Sequence, residues 1–380
     1  MTQWISTDEA AQRLGVKPAT VYAYVSRGLL VSRRNPAGRG SLLDRTAVDR
    51  LAEGGRRGRR TAQRVHRFRS VTSEVSHSGP DALYYRGHEV SAWSRGKTLE
   101  DGIELVLGFR PELSQPPSLR VTALPTEVPL DRRLTGAIVR LAESGWGEER
   151  TSSGAAAAVA TACPALVDAL SATGRPDRSP RLAQRIVANL TGRTATEEES
   201  TAVDETLVQL LDHGLTASTT ATRAAASARA GIADCLLAGY AALAGHEHGR
   251  ASERLHPVLR AVAPPDGVRA GFGHFMYAEG DPRADVALAA WGRVPAAAAP
   301  LAALAELRAG LPDGGRYEPN IDAALAVATV ALDLPATAGT ALFVLARTAG
   351  LAAHAAEEYA EDLLRWRGRA ATRATGGEPG

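Results

Sequence analysis

The stretch Gly271-Phe272-Gly273-His274-Phe275-Met276-Tyr277-Ala278-Glu279-Gly280-Asp281-Pro282-Arg283-Ala284-Asp285 gathers more unusual residue choices than any other part of the chain. Gly271 and Gly273 let the backbone turn sharply and come close to a ligand. His274 titrates near neutrality or donates a hydrogen bond. Asp281-Pro282 sets a turn, and Arg283 leaves it as a planar fork matched to a carboxylate. A histidine donor and a guanidinium on neighbouring loop ends suit a small anionic carbonyl compound. Alone, Gly-x-Gly-His reads better as a surface loop with a satisfied histidine.

Two further stretches change that balance. Upstream lies Gly245-His246-Glu247-His248-Gly249-Arg250-Ala251-Ser252-Glu253. Downstream, Pro319-Asn320-Ile321-Asp322 opens an apolar run from Ala323 to Leu332, and Ala346-Arg347-Thr348-Ala349-Gly350 follows. In that order the motifs resemble the citrate synthase family, methylcitrate synthases included, from about residue 70 to the C-terminus. The resemblance implies a mainly α, all-helical body. Its large domain would comprise residues 70–248 and 336–380, and its small domain, which closes over the site, residues 249–335. It implies a homodimer formed through the large domain. It also implies an acyltransferase that condenses acetyl-CoA or propionyl-CoA with oxaloacetate, with no tightly bound cofactor.

The residue roles follow from the same resemblance. Asp322 is the base, His248 donates to the enol(ate) oxygen, and His274 polarises the ketone. His213, in the context Asp212-His213…Ala217-Ser218-Thr219, contacts oxaloacetate. Arg283 and Arg347 hold its carboxylates. A further arginine from the other subunit maps to Arg367, where Arg365-Trp366-Arg367 and Arg367-Gly368-Arg369 both imitate the family's Arg-Pro-Arg. One departure stands out. The family has Pro-Leu before its first His-Gly and Gly-Ala-Asn-Glu after it, whereas this chain has His246-Glu247 and Arg250-Ala251-Ser252-Glu253. Charges beside a donor histidine act on its protonation.

The 380 residues are 44% hydrophobic and 23% charged, which fits a globular chain of two or three domains. Alanine runs and scarce aromatics favour a core of closely packed Ala, Leu and Val helices. The start, Met-Thr-Gln-Trp-Ile-Ser, has no basic region followed by an apolar one, and apolar runs are too short for a membrane span. The cytoplasm is the expected compartment. Cys163 and Cys235 give neither a disulfide framework nor a zinc set. His246 and His248 could share a metal, but no third and fourth ligand lies at useful spacing. There is no Walker motif, no third glycine after Gly271-x-Gly273, and no Gly-x-Ser-x-Gly elbow.

Charge is distributed unevenly. Residues 1–69 hold fifteen basic and five acidic groups, a net +10, so a chain of net +2 leaves −8 for the rest. Within residues 1–54, Ser6 and Glu9 form a capping box before one short helix, and Pro18 opens a second. Leu29 to Arg34 and Ser41 to Arg45 read as a hairpin wing, and Thr46 to Glu53 as a third helix. The layout resembles the winged helix-turn-helix of the MerR and excisionase families, whose second helix enters the major groove. The resemblance makes Lys17, Thr20, Tyr22, Arg27, Arg33, Arg34 and Arg39 candidates for contacts to duplex DNA. The alternative is a small domain used for docking. Residues 55–69 form a basic linker. A basic module on an acidic body suggests two functions in one chain; the expected reading of the whole is an acyl-condensing enzyme, and the alternative is a DNA-binding regulator whose body senses acyl-CoA or oxaloacetate.

Overall fold

The computed structural model describes residues 4–49 apart from 15, 17, 27–29, 31 and 35–40, and residues 71–367 apart from 114–124, 126, 247, 262–268 and 313. It divides into two units, Met1–Thr72 and Ser73–Gly380.

In the first unit, β1 (Trp4–Ser6) leads into α1 (Thr7–Leu14). Ser6 caps that helix by accepting from the Glu9 N–H at 3.2 Å. Next come α2 (Pro18–Ser26), β2 (Ser32–Arg34), β3 (Ser41–Asp44) and the helical residues 45–49, here α3. The strands form an antiparallel sheet in the order β1-β3-β2. Strand β1 escapes sequence reading because three residues cannot display an alternation. Ile5, Ala10, Val21, Leu30, Leu43 and Val48 bury against one another as a separate small core. Arg13 ties α1 to α3 through Asp49 at 3.1 Å.

Of the DNA-contact candidates, Thr20 is half-buried on α2, and Arg33 is exposed on β2 with its guanidinium 4.0 Å over the Trp4 ring. Tyr22 lies on α2 and Arg34 on β2, with side chains outside the described set. Lys17, Arg27, Arg39 and the linker 55–69 lie outside the described residues altogether.

The second unit begins with a small antiparallel sheet, β4 (Ser76–Ser78), β5 (Leu83–Tyr85) and β6 (His88–Glu89). Helices follow: α4 (Val90–Trp93), α5 (Leu99–Leu107), α6 (Leu130–Glu143), α7 (Ser152–Ala169), α8 (Leu182–Thr191) and α9 (Glu197–Val208). Then come α10 (Ala217–Ser227), α11 (Ile232–Leu243), α12 (Ala251–Leu259) and α13 (Pro282–Trp291). The last are α14 (Ala298–Ala309), α15 (Ile321–Ala331) and α16 (Thr337–Tyr359). The unit is mainly α, as its helical periodicity and alanine content require.

Helix α16 runs through the middle, buried on all sides from Ala338 to Ala355. Small residues let other segments approach its backbone. A Cβ on Gly350 would stand 2.1 Å from the Leu211 carbonyl, so only glycine permits that contact. The single helix expected over Ala217 to Ala244 is broken at residues 228–231, where Arg229 adopts a φ of +59°. There the Arg229 guanidinium caps the end of α16, donating to the Glu358 and Glu361 carbonyls at 3.1 and 2.7 Å. Periodicity continues across the break because both halves bury a face, which hides it in the sequence. The helix expected over Glu361 to Arg367 is instead a series of turns. No single helix among the described residues is long and apolar enough to cross a membrane.

Candidate active site

The glycine turn that opened the sequence reading is held by the segment before α15. The Gly273 N–H donates to the Glu318 carbonyl at 2.7 Å and the Asn320 N–H to the Gly271 carbonyl at 2.9 Å. Asn320 Nδ2 also donates to the Gly273 carbonyl at 2.8 Å. Gly271 and Gly273 have φ values of +84° and +69°, which favour glycine. A Cβ on Gly271 would also lie 2.6 Å from Leu255 Cδ2. This pairing sets His274 beside the start of α15. Asn320 caps α15 by accepting from the Asp322 N–H at 3.0 Å, which places Asp322 in the helix's first turn.

A cavity of about 290 Å³ results, lined by His213, His248, His274, Arg283, Asp322 and Arg347. Six residues scattered over 135 positions of sequence thus share one space. Asp322 is half-buried and its Oδ1 has no hydrogen-bond partner. Burial pushes its carboxyl up to about 7; Asp281 adds to the rise, and Arg283 opposes it.

The three histidines are held neutral. Burial, then Arg283, depresses His274 to about 4. Burial, then Arg347, depresses His248 to about 4. His213 is pushed well below the ordinary range by burial and Arg283. Tautomers follow from the partners. His274 Nδ1 accepts from the Met276 N–H at 3.2 Å, so its proton sits on Nε2 as a donor. His213 Nε2 bonds Tyr277 Oη at 2.8 Å, and its ring meets His274 edge-on at 5.1 Å. His248 Nε2 bonds Ser218 Oγ at 3.0 Å. When the hydroxyl donates, the His248 proton sits on Nδ1.

The arginines differ. Arg283 is buried and commits its Nε–Nη2 edge to Asp281, at 2.8 Å for each contact, leaving its Nη1–Nη2 end to offer. Arg347 donates through Nε to the Leu210 carbonyl at 2.8 Å. Its Nη1 is buried without a partner, an unusual cost for a guanidinium nitrogen. Arg367 is exposed and does not line this cavity. Arg365, its rival in register, is bound to Glu358 through two contacts of 2.6 Å.

The altered His248 loop is locked by its own charge. Arg250 donates to the Ala244 carbonyl at 2.9 Å and pairs with Asp131 at 2.9 Å and Glu253 at 3.3 Å. Glu247 lies outside the described residues. Sequence reading missed the hydroxyl partners Ser218 and Tyr277, and the cavity-lining Arg254, Arg269 and Phe343. Tyr277 lay in the Gly271–Asp285 stretch and Ser218 in the Ala217-Ser218-Thr219 context of His213; Arg254, Arg269 and Phe343 carry no motif of their own. Among the described residues no group of three or more metal-ligating side chains occurs, and His246 and His248 recruit no further ligand.

Residues 62–368 match the family model described as citrate synthase, C-terminal domain. The chain belongs to the citrate synthase family. Residues 4–56 match a helix-turn-helix domain model. A putative citrate synthase 2 of Mycobacterium tuberculosis is 35% identical over 176 residues, covering 41% of this chain and 47% of the relative. Citrate synthase of Saccharolobus solfataricus is 30% identical over 211 residues, covering 50% and 56%. The 2-methylcitrate synthase 2 of Corynebacterium glutamicum is 26% identical over 220 residues, covering 50% and 55%. The chain thus matches about half the length of these relatives.

Solved structures of the family share the fold. A ternary complex of citrate synthase from Thermoplasma acidophilum with carboxymethyl coenzyme A and oxaloacetate aligns with a TM-score of 0.67 at 22% identity, covering 84% of this chain and 97% of that one. Citrate synthase from Thermotoga maritima aligns with a TM-score of 0.63 at 20% identity, covering 82% and 95%.

Proposed function

We propose that the body is an acyltransferase that condenses acetyl-CoA or propionyl-CoA with oxaloacetate, giving citrate or 2-methylcitrate and free CoA. The observation that carries this reading is Asp322, a carboxylate with an unpaired oxygen and a pKa near 7, in one cavity with neutral histidines and arginines. The carbon next to a thioester is a very weak acid. A carboxylate removes its proton only if the enol oxygen is stabilised at the same moment.

In this reading Asp322 takes the proton while a neutral His248 donates to the enol(ate) oxygen. Neutrality matters, because a donor that keeps its proton stabilises the enolate without quenching it. The enol carbon attacks the ketone carbon of oxaloacetate, whose oxygen accepts from His274 Nε2–H and gains the proton. Arg347, through its unpaired Nη1, and the free end of Arg283 bind the carboxylates, and His213 completes that cradle. Water then cleaves the thioester and releases CoA as a thiol. The large domain is taken as 70–248 and 336–380, with 249–335 as the closing domain. A homodimer through the large domain would bring in Arg367 from the partner. The test is thiol release from acetyl-CoA, then propionyl-CoA, each with oxaloacetate. Absence of release with both refutes the enzyme reading.

A second reading concerns residues 1–69, and the helix-turn-helix match supports it. We infer that this module binds duplex DNA, its net +10 charge contacting phosphates, with Arg33 exposed on β2 among the candidates. Retardation of genomic fragments at low salt tests it.

A further inference from the structure

His354 takes no part in the chemistry above, yet it is a fully buried titratable side chain in the middle of α16. Its two ring nitrogens are both used. Nδ1 accepts from Arg223 Nη1 at 3.0 Å, and an arginine can only donate. The ring proton therefore sits on Nε2, which donates to Asp212 Oδ2 at 3.0 Å. That same oxygen takes the Ser76 hydroxyl and the Gly214 N–H, the latter at 3.0 Å. Arg223 is also fully buried, anchored by Glu357 at 2.8 and 2.9 Å and by Glu358 at 3.2 Å.

The target of these contacts is one short loop, the residues joining α9 to α10. Asp212 is its pivot, and His213 is the next residue. Tyr85 Oη accepts from the Asp212 N–H at 3.0 Å, fixing the backbone from the other side. Arg347 is oriented by the Leu210 carbonyl of the same loop. So the loop presents His213 and aims Arg347, two of the groups given above to oxaloacetate. None of these hydrogen bonds is made to His248 or Asp322, which Arg347 reaches only through its charge.

We propose that Arg223, His354 and Asp212 form a buried positioning relay that sets the dicarboxylate cradle without touching the acyl-CoA side of the cavity. This rests on the reaction proposed above. It identifies His354 as a positioning residue for oxaloacetate. The physical argument is directional. The relay holds Asp212 at a fixed distance from α16, and the loop backbone transmits that distance to His213 and to the Leu210 carbonyl. Replacing His354 by a residue without polar atoms leaves Asp212 and Arg223 each short of a buried partner, so the loop shifts to find others.

The experiment measures the Michaelis constants of the full-length protein for oxaloacetate and for acyl-CoA, by thiol release, in wild type, His354→Leu and His354→Gln. Glutamine has a donating NH2 group and an accepting carbonyl oxygen and can bridge Asp212 and Arg223 again. His354→Leu is expected to raise the oxaloacetate KM by about tenfold or more, with the acyl-CoA KM within about threefold, from the loss of hydrogen bonds to charged partners. His354→Gln is expected to recover most of the oxaloacetate affinity. A Leu protein with an unchanged oxaloacetate KM, or one in which both constants rise alike, overturns the relay. If the Leu protein does not fold, Ser76→Ala removes one contact to Asp212 and is expected to raise the oxaloacetate KM by about threefold; no rise overturns the relay. An inactive wild type that also fails to bind oxaloacetate by calorimetry overturns both readings. An active wild type with indifferent variants overturns this one alone.

Discussion

Replacing Asp322 with asparagine separates catalysis from stability at a single atom. The substitution removes the proposed base and should lower kcat by about 10²–10⁴-fold. The same change should stabilise the protein at alkaline pH. Burial raises the carboxyl from 3.8 to about 7, so the native state holds that proton more tightly than the unfolded chain does. Near pH 4 the carboxyl is protonated in the native state, and its burial costs little. As pH rises from about 4 to 7 the unfolded chain releases the proton first, so stability declines, and above 7 the full cost is present. A carboxyl moved from 3.8 to about 7 corresponds to about 4 kcal/mol. The side chain is only half-buried and opens on the cavity, so with solvent screening about 2 kcal/mol is expected. Asp322→Asn should therefore melt about 4 °C above wild type at pH 8 and close to it at pH 4.5. Scanning calorimetry at the two pH values, beside thiol-release rates, tests this. A variant as active as wild type refutes the base assignment. A variant less stable at pH 8 refutes the argument from burial.

Four further outcomes follow. The kcat of the wild type should rise with pH along a single ionisation near 7, with no second loss until about pH 4, because Asp322 must be ionised while His248 and His274 are already neutral; stopped-flow rates from pH 5 to 9 check this. Arg347→Lys should raise the oxaloacetate KM by roughly 10–100-fold and spare the acyl-CoA KM, since lysine keeps the charge but loses both the Leu210 contact and the planar fork; steady-state kinetics decides it. Arg250→Ala should cost about 1–3 kcal/mol in urea unfolding, because Asp131 is buried and loses its 2.9 Å partner, and no loss would mean the loop is not held by that pair. Binding of duplex DNA by the full chain should weaken steeply with salt, and Arg33→Ala should flatten the slope of log affinity against log salt by about one; an unchanged slope removes Arg33 from the interface.

The helical body was legible because its signals repeat. Apolar residues recur at helical spacing through α5, α9, α15 and α16, and each turn of a long helix restates the message. The stretch from Gly271 to Arg283 was legible for a different reason. Gly271, Gly273, His274, Asp281 and Arg283 lie within thirteen positions, so the proposed site chemistry is concentrated in one short run of sequence. What stayed hidden depends on contacts between distant segments. The partner of Arg283 turned out to be Asp281, read at first only as a turn former. Arg250 read as a charge acting on the neighbouring donor histidine, and it is instead paired with Asp131, 119 residues away.

The loop bearing His213 is the clearest case of this limit. Its sequence, Gln-Leu-Leu-Asp-His-Gly, offers one histidine at a helix end, for which a favourable helix dipole is explanation enough. The placement of that histidine comes from residues distant in sequence: Ser76 on β4, Arg223 on α10, and Gly350 and His354 on α16. Gly350 admits the loop to within contact of the helix, and His354 then seizes Asp212 from the same face, one turn further on. The spacing of four between them is the helical repeat that puts both on one side. Ala346 and Arg347 sit one turn earlier on that helix, so a single face of α16 both receives the loop and supplies the arginine the loop aims. The proposed dicarboxylate cradle would thus be a property of how α16 packs rather than of the histidine motif itself. Arg347→Lys, which keeps the charge and bulk on that face, should therefore disturb oxaloacetate binding before it disturbs the fold, whereas any Cβ at Gly350 would push the loop itself away from α16.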